Sequence, residues 1–295
     1  MTNARILLDG LKLVESPRWH EGRLWFCHWG AGEVIAVTPE GDHEVVPLAG
    51  GVDPHTIGWL PDGRLLVVPK NPEPDGGLLR READGSMVPH ADLSALPPGL
   101  NELVVDGRGN AYVNGVGFAF LEFIKNIDPA DPRPLTERPG YRPGFIALIR
   151  ADGTVVRQEH DIAFPNGMAI TPDGRTLIVS ESFAGVLTAF DIEPDGTLTN
   201  RRTFADGLGP DGICLDADGA VWTSSGGNEA VRVAEGGKVL DRVELDRAPF
   251  AVMLGGEDGR TLFICAAKWD AQDPFAARTG QILAVPAPAA HVGHP

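Results

Sequence analysis

Polar residues recur at one position of a repeated sequence pattern. His55, Asn101, Asn166 and Asp211 each stand eight residues before the glycine of a tight turn, and Glu15 stands seven residues before another. Carboxylate and amide oxygens are hard ligands of the kind that Ca²⁺, Mg²⁺ and Mn²⁺ prefer. If these positions meet in the fold, they can hold one divalent cation, which polarises a carbonyl oxygen and lowers the pKa of bound water.

Each of these residues also has an ordinary structural interpretation. An Asn or Asp before Gly is commonly a turn residue, and a single His at a strand start is commonly a hydrogen-bonded structural residue. The sequence has no closely spaced His or Cys cluster of the structural-zinc kind. We therefore expect one divalent ion, with Ca²⁺ as the first choice and Zn²⁺, Mn²⁺ or Mg²⁺ as alternatives.

The elements that position these residues repeat along the chain. An apolar strand, a tight turn of the Asp-Gly type and a second apolar strand occur six times, with turn glycines Gly22, Gly63, Gly109, Gly174, Gly219 and Gly259. The gaps between these glycines are 41, 46, 65, 45 and 40 residues. This period, with several short strands in each unit, predicts an all-β fold: a six-bladed β-propeller with four-stranded antiparallel blades. A propeller brings the starts of all inner strands around one channel.

The pattern predicts a single domain over residues 1–295. Unit six lacks a clear fourth strand, so the opening segment "ARILLDGLKLV" is expected to pair as the outer strand of blade six and close the ring. The longest gap places an insertion at about 118–144, in the connection between the second and third strands of blade three. That connection returns to the rim where the inner strands begin. The insertion is therefore a candidate lid or pocket wall, the alternative being a structural decoration.

Composition excludes some classes of partner. The net charge is −16, from 25 basic and 41 acidic residues, and there is no basic stripe of the kind that marks nucleic-acid binding. The first ten residues lack the apolar core of a signal peptide, and no apolar run is long enough to span a bilayer. We expect a cytoplasmic protein, monomer or homodimer, that acts on a small molecule and binds neither nucleic acid nor membrane.

Three motifs carry a specific resemblance. "ESPRW" near the amino terminus, "PNGMAITPDGRTLIVSES" in the fourth repeat and "PDGICLDADGAVW" in the fifth resemble the senescence-marker-protein/gluconolactonase/luciferin-regenerating-enzyme family. The likeness runs over nearly the whole chain. It implies a six-bladed propeller with one divalent metal on the channel axis, held by Glu15, Asn166 and Asp211. It also implies that Asn101 contacts the substrate or acts as a fourth ligand.

Members of that family commonly open sugar lactones, and others cleave organophosphate esters. In the sugar lactonases an Arg that binds sugar hydroxyls often stands two residues before the substrate-contacting Asn, where this chain has Gly99. The resemblance therefore leaves the substrate open between a sugar lactone and a less polar cyclic ester.

The resulting hypothesis is metal-dependent lactone hydrolysis. Asp211 is the first candidate for the base that activates water, and His55 is the competing base because its ordinary pKa lies near neutrality. His55 and Asn101, together with Trp29 and Glu181 from the connections between second and third strands, are predicted to contact the substrate.

Three alternatives to this hypothesis remain. Phosphotriester hydrolysis could use the same metal site. A non-catalytic scaffold could hold a structural cation, and a condensing or isomerising propeller enzyme would not need the metal ligands. Ser16 and Ser182 lack the Gly-x-Ser-x-Gly elbow of a serine hydrolase.

Overall fold

The computed structural model describes residues 4–70, 77–128 and 130–295. Their strands form six antiparallel sheets of four strands each, arranged as the blades of a propeller, which confirms the predicted fold. All six turn glycines have positive φ angles, for example +74° at Gly22 and +85° at Gly109. Glycine adopts this conformation at no steric cost, so each repeat closes its first hairpin at the same point.

The strands follow one another along the chain with few interruptions. The first strand is β1 (Arg5–Leu11). Blade one contains β2 (Val14–His20), β3 (Arg23–His28), β4 (Glu33–Val37) and β5 (His43–Val46). Blade two contains β6 (Pro54–Trp59), β7 (Leu65–Pro69), β8 (Leu78–Arg81) and β9 (Met87–Ala91). Blade three contains β10 (Leu100–Val105), β11 (Ala111–Gly115), β12 (Gly144–Ile149) and β13 (Val155–Ile162).

The second half of the ring repeats this order. Blade four contains β14 (Pro165–Ile170), β15 (Thr176–Glu181), β16 (Val186–Ile192) and β17 (Leu198–Ala205). Blade five contains β18 (Cys214–Leu215), β19 (Val221–Ser224), β20 (Glu229–Val233) and β21 (Val239–Glu244). Blade six contains β22 (Ala248–Gly255), β23 (Thr261–Ala267) and β24 (Gly280–Pro286).

The ring closes as the sequence predicts. Strand β1 pairs antiparallel with β24, so the first strand of the chain becomes the outer strand of blade six. Neighbouring blades pack through apolar faces. Trp19 of blade one, for instance, stacks on Phe263 of blade six with ring centroids 5.4 Å apart. The three cysteines are free and buried within these faces.

The blade-three insertion lies between β11 and β12, as expected. It is not a plain loop, because it contains a short helix, α1 (Phe120–Lys125), and a 3₁₀ turn at Leu135–Glu137. A second 3₁₀ turn, Ala49–Gly51, precedes blade two. The apolar face of α1 packs with Phe118 and Tyr141 into a small satellite core above the blades.

The carboxyl-terminal residues cross the end of the propeller where the turn glycines lie. His294 pairs with Ile170 at the end of β14, and His291 pairs with Asp216 beyond β18. The His291 amide also donates to the carbonyl of the blade-six turn glycine, Gly259. No sequence signal indicated this tail. No helix within the described ranges is both long and apolar enough to cross a membrane.

Candidate active site

A cavity of about 860 Å³ opens at the rim where the inner strands begin. Six of the predicted site residues line it: Glu15, Trp29, His55, Asn101, Asn166 and Asp211. Glu102, which the sequence analysis did not single out, lines it as well. We call Glu15, Asn101, Glu102, Asn166 and Asp211 the floor of the cavity.

Irregularities in the inner strands aim these side chains at the channel. The pairing of the first hairpin shifts register between Glu15 and Arg18 in blade one, between Leu100 and Leu103 in blade three, and between Pro165 and Met168 in blade four. A bulge inserts an unpaired residue and turns its side chain out of the regular alternation. The inner strand of blade five is even less regular. It contains only Cys214–Leu215, so Asp211 lies in irregular backbone before it.

Two glycines allow the inner strands to approach closely beside Asn166 and Asp211. A Cβ atom on Gly167 would lie 2.4 Å from the backbone nitrogen of Ile213, and one on Gly212 would lie 2.4 Å from the Cβ of Ala251. Neither glycine has a positive φ. Their role is therefore close approach between adjacent inner strands, rather than the turn that Asn-Gly and Asp-Gly pairs usually indicate.

Side chains from the second strands fix the backbone of the floor. Asn114 accepts a hydrogen bond from the Glu102 amide at 3.0 Å and donates one to the Asn166 carbonyl at 2.7 Å. Ser180 donates to the Asp211 carbonyl at 2.6 Å, and the Asp211 amide donates to Thr223 Oγ1 at 3.2 Å. The floor residues are held before any ligand arrives.

The floor concentrates negative charge away from bulk water. Burial raises the pKa of Glu15 well above its ordinary range, and repulsion from Asp211 and Glu102 adds to that shift. Burial also raises the pKa of Asp211, with a further contribution from Glu102, while the Asn166 side chain and the Gly212 amide lower it. Asp211 Oδ1 is buried and has no hydrogen-bond partner within the described part of the chain.

The negative charge of Glu102 is balanced by a buried arginine and by hydrogen bonds. Arg18 Nη2 donates to Glu102 Oε1 at 2.7 Å, and the Leu103 amide donates to the same oxygen at 2.9 Å. The hydroxyls of Ser16 and Thr56 bond each other at 2.7 Å and also reach this carboxylate. Ser16 has φ +53°, a conformation that is costly for a residue with a Cβ and that the surrounding bonds must maintain. These contacts make Ser16 a structural member of the network.

His55 and Trp29 form one stacked pair on the cavity side. Their rings lie 4.2 Å apart at an angle of 13°, and Trp29 Nε1 donates to the His55 carbonyl at 2.7 Å. Burial lowers the pKa of His55 to about 4, so the imidazole is neutral near pH 7. Asn101 Nδ2 donates to the Pro165 carbonyl at 3.0 Å, which ties blade three to blade four.

Glu181 does not line the cavity. Its carboxylate faces the body of blade four, where it accepts hydrogen bonds from Thr188 and Arg201 at 2.5 and 2.6 Å and from the Ala163 amide at 2.8 Å. Adjacent residues in a strand point to opposite faces. The neighbouring Ser180 therefore reaches the Asp211 backbone while Glu181 points away from it.

The sides of the cavity are largely aromatic. Phe118 and Phe120 of the insertion line it together with Phe164 and Phe183 of blade four, and we call these four residues the aromatic wall. Phe164 stacks on Phe183 at 4.5 Å and lies 4.7 Å from Phe120. The apolar start of the insertion was visible in the sequence, but its partners Phe164 and Phe183 were not recognised.

A comparison with protein-family models identifies the family to which the chain belongs. The family model described as the SMP-30/Gluconolactonase/LRE-like region matches residues 13–268. The chain belongs to this family. The resemblance drawn from the three sequence motifs is thereby confirmed.

Relatives in the SMP-30/gluconolactonase/LRE-like family include proteins named as lactonases. Pentonolactonase XacC of Haloferax volcanii is 26% identical over 282 residues, covering 92% of this chain and 87% of its own. The gluconolactonase of Zymomonas mobilis is 24% identical over 300 residues, covering 88% of this chain and 81% of its own.

Solved structures share the fold. Regucalcin from Agrobacterium tumefaciens, described as a calcium-binding protein, superposes with a TM-score of 0.73 at 22% identity and covers 99% of this chain and 95% of its own. A luciferin-regenerating enzyme superposes with a TM-score of 0.75 at 16% identity, covering 98% of this chain and 97% of its own.

The floor fits the divalent cation that the SMP-30/gluconolactonase/LRE-like family implies. Across residues 4–70, 77–128 and 130–295, no group of three or more His, Cys, Asp and Glu side chains could hold a metal ion. Within the floor, the carboxylates of Glu15 and Asp211 and the amide of Asn166 form a different set. A buried carboxylate oxygen without a partner, beside a second carboxylate with a raised pKa, is an arrangement that a cation stabilises.

Proposed function

We propose that this protein hydrolyses a lactone and depends on one divalent cation held by Glu15, Asn166 and Asp211. The observation that carries the proposal is the convergence of these side chains at one cavity floor, with Asp211 Oδ1 left unpartnered. Relatives named pentonolactonase and gluconolactonase support the lactone as the substrate class. The hard oxygen donors and the relative described as calcium-binding favour Ca²⁺.

A bound divalent cation would polarise the lactone carbonyl and stabilise the charge that develops on its oxygen. Residues of the chain would transfer the proton and restrict the access of water. The Asp211 carboxylate would accept a proton from the water that attacks the carbonyl carbon and would return that proton to the ring oxygen as the C–O bond breaks. The aromatic wall limits the access of further water, which strengthens every electrostatic interaction at the floor.

Asp211 is a better base than His55. Burial holds the pKa of His55 near 4, and its ring is packed against Trp29. An imidazole with so low a pKa accepts a proton weakly at neutral pH. His55 is therefore proposed to contact the substrate as a neutral side chain; its buried Nδ1 has no hydrogen-bond partner within the described residues.

The direct test combines metal analysis with a substrate panel. Purified protein is assayed for bound Ca²⁺, Mg²⁺, Mn²⁺ and Zn²⁺, and then for lactone hydrolysis before chelation, after chelation and after each ion is restored. We expect activity that is lost on chelation and recovered with one ion. A paraoxon-like phosphotriester assayed in parallel separates the two hydrolase hypotheses.

Two results would contradict the proposal. Full lactone hydrolysis by ion-free protein would remove the cation from the mechanism. The absence of any hydrolysis after reconstitution with all four ions, together with stoichiometric ion binding, would favour the scaffold with a structural cation.

A further inference from the structure

Resting on the proposed lactonase function, we propose that the substrate is a lactone bearing an apolar substituent, an alkyl chain or an aryl group, rather than a polyhydroxylated sugar lactone. The lactone ring would sit on the floor and the substituent would lie along the aromatic wall.

The aromatic wall begins directly beside the floor. Phe164 is two residues from Asn166, and it packs between Phe120 and Phe183 with ring centroids 4.7 and 4.5 Å away. Phe118 adds a fourth ring, supported from behind by Phe123 at 5.1 Å. A substituent attached to a ring at the floor would therefore meet a continuous aromatic surface.

The blade-six side of the cavity is also aromatic. Phe250 lies in the bulge of β22, and Trp269 and Phe275 come from the connection between β23 and β24; all three line the cavity. Phe250 and Trp269 pack with centroids 5.6 Å apart. Lys70, the one cationic residue lining the cavity within the described chain, has its ammonium 4.0 Å from the centre of the Phe275 ring.

Three polar side chains around the floor already donate to backbone. Ser182 donates to the Pro210 carbonyl at 2.7 Å, Ser224 donates to the Gly209 carbonyl, and Trp29 donates to the His55 carbonyl. A sugar lactone brings several hydroxyls that need partners, and each hydroxyl buried without one carries a desolvation penalty. An alkyl or aryl substituent carries no such requirement.

Gly99 brings no side chain to the cavity. It lines the cavity with φ +83°, and a Cβ there would lie 2.9 Å from Val116 Cγ2 and 3.1 Å from the Phe118 carbonyl oxygen. No side chain fits at this point without displacing the start of the insertion. The cavity volume of about 860 Å³ lies in the range of sites for drug-sized ligands, so a lactone ring alone would leave much of it unfilled.

The test is a chain-length series on reconstituted protein. We would measure kcat/KM for γ-butyrolactone, γ-hexalactone, γ-octalactone and γ-decalactone, with dihydrocoumarin as the aryl case and glucono-δ-lactone and galactono-γ-lactone as sugars. Complete burial of one methylene corresponds to about fourfold, so we expect a rise of about two- to fourfold per added CH₂ until the wall is filled. Glucono-δ-lactone should rank below γ-decalactone.

Variants locate the substituent. Phe120→Ala and Trp269→Ala should each reduce the advantage of γ-decalactone over γ-butyrolactone by about tenfold. Trp269 is 41% exposed, so Trp269→Ala should fold and can test the proposal even if Phe120→Ala fails to fold. Leu240→Ala, an exposed apolar truncation on blade five outside the cavity, is the matched control and should leave the series unchanged.

The outcomes separate the two proposals. If sugar lactones are hydrolysed better than the alkyl series, or if kcat/KM is flat along it, the substituent proposal is overturned and the lactonase stands. If neither class is hydrolysed, the proposed function fails. Calorimetric titration of the protein with γ-decalactone and with glucono-δ-lactone then still reports which ligand the cavity prefers, and a preference for the sugar would overturn the substituent proposal.

Discussion

The floor and the aromatic wall of the same cavity have different origins. The floor is built from equivalent positions of four blades, each aimed by a register shift or an irregular strand start. The aromatic wall comes from one insertion and from two phenylalanines of blade four, packed into a satellite core of their own. Polar groups at the floor are held by hydrogen bonds from neighbouring strands, whereas the side chains of the wall are held by apolar contacts.

This difference suggests separate roles: we expect the floor to determine reactivity and the aromatic wall to determine which substrates are accepted. A ring of repeated positions supplies oxygen donors wherever the repeat is kept, so the proposed reactive centre is part of the blade architecture. The insertion lies between β11 and β12 and packs with Phe164 and Phe183 into the satellite core, so its length and composition can change separately from the repeated floor positions. Changes at the floor should therefore affect all substrates, and changes at the wall should affect only some.

The largest effect is expected from the floor. Asp211→Asn keeps the shape of the side chain but removes the charge and the proton acceptor, so lactone hydrolysis should fall by about 10²–10⁴-fold for every lactone tested. Steady-state kinetics and ion analysis check this. Asp62→Asn, the same change in an exposed turn at the other rim, is the control. A loss confined to long-chain lactones would show that floor and wall do not act separately.

The support of the floor should matter for folding. Arg18→Met leaves Glu102 buried with a diminished set of partners, and removal of one member of a buried pair typically costs about 3–5 kcal/mol. Denaturant unfolding measures this loss in the free energy of unfolding. The double variant Arg18→Met/Glu102→Gln should recover a large part of the lost free energy of unfolding, because no charge is then left unpaired. Equal stability of single and double variants would show that the ion pair is not what holds the floor.

His55 should give stability a defined pH dependence. Its pKa is about 4 in the folded protein against 6.5 in the unfolded chain, so the unfolded state binds the proton first as the pH falls. The contribution is fully present above about pH 6.5 and is lost toward pH 4. The free energy of unfolding of the natural chain minus that of His55→Gln should therefore fall by about 1–3 kcal/mol over this range. A constant difference would mean that the imidazole is solvated.

The smallest expected effect concerns the wall. Gly99→Ala and Gly219→Ala both place a Cβ at positive φ, but nothing lies within 4 Å of the Cβ position at Gly219. Gly219→Ala should lower the free energy of unfolding by about 1 kcal/mol through backbone strain alone. Gly99→Ala should lower it by about 1 kcal/mol more, because Val116 must also move. Thermal unfolding compares them. Identical values would show that the wall yields freely at this point.

Much of the fold followed from the turn glycines. Their spacing gave the number of blades, and the missing fourth strand of unit six indicated the closing role of β1. Asn166 and Asp211 could be placed at the channel because each stands at a fixed distance before a turn glycine. The same count missed Glu102, because the bulge between Leu100 and Leu103 brings a second residue of that segment to the cavity.

Other features depend on tertiary contacts that no local pattern encodes. Glu181 is polar and near the rim, yet strand alternation turns it toward Thr188 and Arg201. Phe164 and Phe183 are apolar residues among many, and only the packing of the insertion distinguishes them. The helix α1 is too short for a periodic signal. Packing partners of this kind are fixed by the whole structure rather than by spacing.

The tail at the far end of the propeller has a consequence for turnover. His294 and His291 pair with residues at the ends of β14 and β18, away from the rim at which the cavity opens. A hydroxy acid released from the floor would leave past the same rings that admitted its precursor. The longer its apolar chain, the more slowly it should depart, and product inhibition should deepen along a homologous series even as the chemical step becomes more efficient.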